Sequence, residues 1–237
     1  MPRPVIVGLA QRPDDAAPIA LAQALARTAG APLVFATATR RGPAAALRDL
    51  ASHRSAVAVV VGSTRHGTLG RMLHGDVAAE LLATSPCPVA ISPRGYRTPA
   101  HGLKRIAVLF NDTPDGRRAL ASATGIAHAV GGSIRSFTVA GPRPDGGSVA
   151  EEACAAVREL LPLDVHGGAA ALEGDAVCAL ARATAHEDLL ICGHADHGVT
   201  RRRLVRAVRC PVLVLPRAGD GIPLLLHDLA DPLEMTA

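Results

Sequence analysis

The chain has 237 residues, 49% of them hydrophobic and 19% charged, a composition that fits a packed globular protein and excludes a disordered one. Its formal net charge of +4 is mild, and with 2% aromatic residues and no Trp it offers almost no platforms for base stacking. Specific nucleic-acid binding is therefore not expected.

The N-terminus, Met1-Pro-Arg-Pro-Val-Ile-Val-Gly8, lacks the long apolar core of a secretory signal. No run approaches the roughly 18–20 apolar residues that a membrane span requires. A cytoplasmic protein without membrane contact is expected. Cys87, Cys154, Cys178, Cys192 and Cys210 are widely spaced and form no CxxC, so they read as buried reduced thiols.

In chain order, the β-branched run Val5–Ala10 leads through the turn Gln11–Asp15 into an Ala/Leu-rich helix, Ala16 to Ala29. Gly30 ends that helix, where a left-handed cap is cheapest, and a strand follows at Pro32–Phe35. Ala56–Val61 is a continuous apolar run stopped by Gly62, the pattern of a strand buried on both faces of a parallel sheet. A glycine-rich loop, a helix at Val77–Ala83 and the strand Cys87-Pro-Val-Ala-Ile-Ser-Pro-Arg94 complete the first half.

Gly95 to Leu103 has linker composition. The series then repeats: strand Ile106–Phe110, turn Asn111–Asp115, helix Gly116–Val130, glycines 131–132 and strand Ser133–Phe137. The buried run Leu189–Cys192 with Gly193, and the closing strand Cys210-Pro-Val-Leu-Val-Leu-Pro-Arg217, match their first-half counterparts. Gly131 and Gly193 lie 62 positions apart, against 32 for Gly30 and Gly62. The second half should therefore carry an additional helix, Ser148–Leu161, and strand, Leu163–His166. Conversely, 17 positions separate Gly193 from Cys210, against 25 from Gly62 to Cys87, so the second loop is the shorter.

Alternating strands and helices predict βαβ units with right-handed crossovers. The fold class is α/β, with two tandem, doubly wound, mainly parallel Rossmann-like domains. The expected boundaries are 1–96 for an abbreviated first domain, 103–217 for the second, and 218–237 for an apolar tail that either packs on the chain or binds a partner.

Ligands of open parallel sheets bind beyond the carboxyl ends of the strands. There the loop Gly62-Ser63-Thr-Arg65-His-Gly67 runs on to Gly75-Asp76-Val77, where the next helix starts. Glycines let backbone N–H groups approach an anion, and the helix start adds a favourable dipole. The segment reads as a phosphate cradle.

With those residues in place, the chain resembles the universal stress protein family. The family pattern is Gly, two residues, Gly, nine residues, Gly, then Ser or Thr, followed by a helix and a Cys-Pro-Val strand. It falls on Gly62, Arg65, Gly75 and Asp76; the outer glycines match, while Arg65 and Asp76 depart. The resemblance implies a stress-response protein, not an enzyme, that binds ATP or another adenine nucleotide, with magnesium only alongside the nucleotide. It also implies an acidic residue at the end of the first strand. That position is Ala10 in the first half and Asn111 in the second, where Gly193 and Gly198 take the glycine positions. Asp76 reads first as a helix N-cap. Family members pair through their last strands, so the two Cys-Pro-Val strands should meet within the chain as a pseudo-dimer, and a homodimer of whole chains is also open. The rival reading is a nucleotide-independent module acting through protein contacts, and slow nucleotide hydrolysis is a third.

His194, Asp196 and His197 beside Cys192 read as polar loop residues and not as a metal site. Arg201–Arg209 reads as an amphipathic helix with solvated arginines. No nucleophile elbow, Walker loop or HExxH is present.

Overall fold

The computed structural model describes residues 2–10, 15–37, 42–63, 77–140, 146–194 and 207–217. The first half runs β1 (Val5–Leu9), α1 (Ala16–Thr28), β2 (Leu33–Thr37), α2 (Pro43–His53), β3 (Ala58–Gly62), α3 (Val77–Thr84) and β4 (Val89–Ser92). The second runs β5 (Arg105–Leu109), α4 (Pro114–Val130), β6 (Ser133–Val139), α5 (Gly146–Leu160), β7 (His166–Leu172), α6 (Ala176–Ala183), β8 (Leu189–Cys192) and β9 (Val212–Val214).

The strands form one nine-stranded sheet in the order β2-β1-β3-β4-β9-β8-β5-β6-β7. Read outward from the β4–β9 pair, both sides have the same order, and the second side carries one strand more. Every pairing is parallel except β4 with β9, where Val89 faces Val214 and Ile91 faces Val212. The two Cys-Pro-Val segments therefore meet antiparallel inside the chain.

Apolar residues cover both faces of the sheet, as continuous β-branched strands require. One face packs Leu21 and Leu25 of α1, Ile126 of α4 and Val157 of α5 against Val7, Val60, Val108 and Ile134. The other packs Leu47 of α2, Leu81 of α3 and Leu180 of α6 against Val59, Ile91, Leu190 and Phe137. Both clusters run across the β4–β9 seam, so the halves share their core. Among the described residues, no helix is long and apolar enough to cross a membrane.

Three expectations require correction. The extra strand lies at His166–Leu172 and not at Leu163–His166, and Leu163 is fully exposed in the preceding turn. Its sequence, HGGAAAL, has no β-branched residue, and pairing with β6 imposes the extended form that local propensity does not. Helices α2 and α6 had no counterpart in the expected elements. Gly42 and Pro43 start the first, and Asp175, accepting from the Cys178 N–H, caps the second. Cys178 is exposed on α6, whereas the other cysteines are buried. Gly30 and Gly131 do take left-handed φ values of 57° and 60° at the ends of α1 and α4.

Candidate functional site

Because β4 and β9 run antiparallel, the carboxyl ends of β1, β3 and β4 lie at one edge of the sheet and those of β5, β6 and β8 at the opposite edge. The chain has two candidate ligand edges, and they face away from each other.

At the first edge, Gly62 stands in register with Ser92, and the Ser63 N–H donates to the Ser92 carbonyl at 2.9 Å. A Cβ on Gly62 would lie 3.5 Å from Pro18 Cγ of α1, ordinary van der Waals contact. Ser92 is fully buried, and its hydroxyl has no hydrogen-bond partner among the described residues. Val77 opens α3, half-buried. Arg65, Gly67, Gly75 and Asp76 lie outside the described residues, so the loop between Ser63 and Val77 is known only from its sequence.

The first edge also holds a carboxylate that sequence reasoning missed. Ala10, at the end of β1, donates its N–H to Asp15 Oδ1 at 3.2 Å. Asp15 precedes α1 in helical backbone geometry and makes no capping bond into the helix. Position 10 itself has no acid, and the Asp15 carboxylate reaches its backbone from five residues later. A carboxylate poised one turn beyond the strand end, at the start of a helix, was the available signal.

The second edge is filled by its own chain. Thr113 caps α4, accepting from the Gly116 N–H at 3.2 Å, and its hydroxyl donates to Asn111 Oδ1 at 2.7 Å. Asn111 is buried, and its carbonyl accepts the Thr113 N–H at 2.8 Å. A Cβ on Gly116 would run into the Asn111 backbone and side-chain oxygens. At Gly193, a Cβ would lie 2.9 Å from Asp115 Cβ and 3.0 Å from the Asp115 carbonyl oxygen. The Asp115 carboxylate pairs with Arg118 at 3.3 Å and sits in the first turn of α4, the place where an anion would otherwise meet the helix dipole. His194 is buried; Asp196, His197, Gly198 and most of Arg201–Arg209 lie outside the described residues. Among the described residues, no group of three or more His, Cys, Asp or Glu could hold a metal ion.

The thiols of the two Cys-Pro-Val segments are unreactive by environment. Burial pushes Cys87 up to about 11, partly offset by the Ser85 hydroxyl, and Cys210 up to about 12.

These features define a class: a doubly wound α/β protein in which two similar half-sheets, each with a candidate ligand edge, join through their last strands. Residues 5–93 match the family model of the universal stress protein family. The match lies wholly within the first half, which is thereby similar to a universal stress protein domain. A universal stress protein of Mycobacterium tuberculosis is 38% identical over 73 residues, which span 31% of this chain and 25% of that relative. The match therefore reaches only about a quarter of the relative's length. The crystal structure of a universal stress protein from Archaeoglobus fulgidus aligns with a TM-score of 0.62 at 17% identity, covering 85% of this chain and 74% of that one. A Pseudomonas aeruginosa structure assigned to the same family aligns with a TM-score of 0.57 at 20% identity, over 89% and 81%. At these identities the likeness establishes the fold.

Proposed function

We propose that the protein is a cytoplasmic stress-response module, built by duplication of one β/α unit, that binds an adenine nucleotide at its first edge only. The observation carrying this reading is the contrast between the two edge glycines. Among the described residues, Gly62 has only the Pro18 ring near it, whereas Gly193 is pressed against the Asp115 backbone. Gly62 and Ser63 enter the phosphate-cradle segment, and Asp15 supplies an acceptor at the end of β1 for a ribose hydroxyl or a base amine. In this reading Asp76 weakens phosphate contact, since like charges a few ångströms apart repel by about 1–4 kcal/mol, depending on screening. In this reading the role is binding and not turnover, since the sequence carries no nucleophile elbow, Walker loop or HExxH.

Titration calorimetry with ATP, with and without magnesium, tests the reading. One site per chain is expected, lost in Gly75→Val and strengthened in Asp76→Ser. Heat unchanged by Gly75→Val would reject the site. Absence of heat in both the parent and Asp76→Ser would favour the second reading, a nucleotide-independent interaction module. One observation supports that alternative: Phe35 is 55% exposed on β2, an edge strand without a charged residue.

A further inference from the structure

The two halves are joined by residues 93–104, which leave β4 directly after Ser92, at the first edge, and enter β5 at Arg105. This strap is held along its length. Tyr96 packs on the core shared by α1 and α4, and the Thr98 hydroxyl donates to the Ala20 carbonyl of α1 at 3.0 Å. Leu103 is buried.

The last part of the strap converges on one carboxylate. Asp188 Oδ2 accepts from His101 Nε2 at 2.9 Å, the Lys104 N–H at 3.1 Å and the Arg105 N–H at 2.8 Å. Asp188 Oδ1 accepts from the Arg105 guanidinium at 3.1 Å. The Asp188 side chain is 2% exposed, while the His101 and Arg105 side chains that donate to it are about half exposed.

The carboxylate is not needed to start the strand. Asp188 donates its N–H to the Arg105 carbonyl at 2.8 Å, and the matching residue of the first half, Val57, donates to the Pro4 carbonyl at 2.8 Å. The backbone bond is the same, yet only the half that receives the strap carries an acid. We propose that Asp188 is a charge-dependent clasp that holds the strap shut and so ties the first ligand edge to the second half.

The charged and titratable groups around the clasp are those of β5, the strap, β6, the β8 approach and the start of β9. Arg105 and His101 face it directly. Glu187 beside it is engaged by Arg135 of β6 at 3.0 Å. The Cys210 thiol and the Tyr96 phenol are both raised by burial, with Asp188 a lesser contributor, and stay neutral near pH 7. Burial alone would raise the Asp188 carboxyl. The hydrogen bonds from Arg105 and His101 outweigh it and hold the group below its ordinary value. A depressed carboxyl stabilises the folded form above its unfolded pKa, and that stability is lost as pH falls through the folded value. The clasp is therefore closed near neutrality and opens in acid.

Amide hydrogen exchange on the full chain, read by NMR at Lys104 and Arg105, tests the clasp. Asp188→Asn keeps an acceptor and removes the charge; Asp188→Ala removes both. At pH 7, exchange at these two amides should rise about tenfold or more in Asp188→Ala and less in Asp188→Asn, while β1 and β3 amides keep their rates. Wild-type strap amides should lose protection on acidification, a transition absent from Asp188→Asn. If Asp188→Ala does not fold, His101→Ala removes one donor and should speed exchange in the strap alone. Unchanged rates at Lys104 and Arg105, or an equal rise at every strand amide, would overturn the proposal.

Discussion

The first ligand edge and the second are built on the same strand order, but their glycines have met different fates. At the first, the strand ends in Gly62 beside a proline ring and a buried serine hydroxyl that has no partner among the described residues. At the second, Thr113 bonds Asn111 and caps the start of α4, and Asp115 pairs with Arg118. One strand order thus carries, among the described residues, an uncrowded strand-end glycine at one edge and a crowded one at the other. The fold gives no reason to expect two equal sites.

The comparison can be broken most sharply in the core. Phe137 of β6 is 1% exposed, so Phe137→Ala should cost about 3–5 kcal/mol in denaturant unfolding. Phe35 stands on the equivalent strand of the first half at 55% exposure, and no counterpart of α5 and β7 covers it among the described residues. Phe35→Ala should cost less than about 1 kcal/mol. Equal losses would show that the uncovered side of β2 is protected in solution.

Smaller is the glycine test. Gly193→Ala should destabilise by about 1–3 kcal/mol, since the Asp115 backbone cannot yield cheaply. Gly62→Ala should fall within about 0.5 kcal/mol of the parent, since its methyl would meet Pro18 at ordinary contact distance. A costly Gly62→Ala would mean that the first edge is as crowded as the second. Smallest is the cap. Thr113→Ala should cost about 1 kcal/mol by thermal unfolding and leave Asn111 without its 2.7 Å partner.

Most of the sheet was legible because buried parallel strands leave continuous apolar runs ended by glycine, as at Val61-Gly62 and Cys192-Gly193. What was missed lacks such a signature. β7 is alanine and glycine held by its neighbour, and α2 and α6 are short helices whose caps carry more information than their periodicity. The site was legible only in part. The second-edge cap is written locally, as Thr113 before Pro114. The carboxylate at Ala10 and the clasp at Asp188 depend on tertiary placement, and His101 meets Asp188 from 87 positions away.

The most direct test of the account is the map of backbone amide shifts when ATP is added to the full chain. The account predicts changes at Ala10, Gly62, Ser63 and Val77, with Asn111, Gly116 and Gly193 unmoved. Shifts centred on Asn111 and Gly193, or equal at both edges, would contradict it.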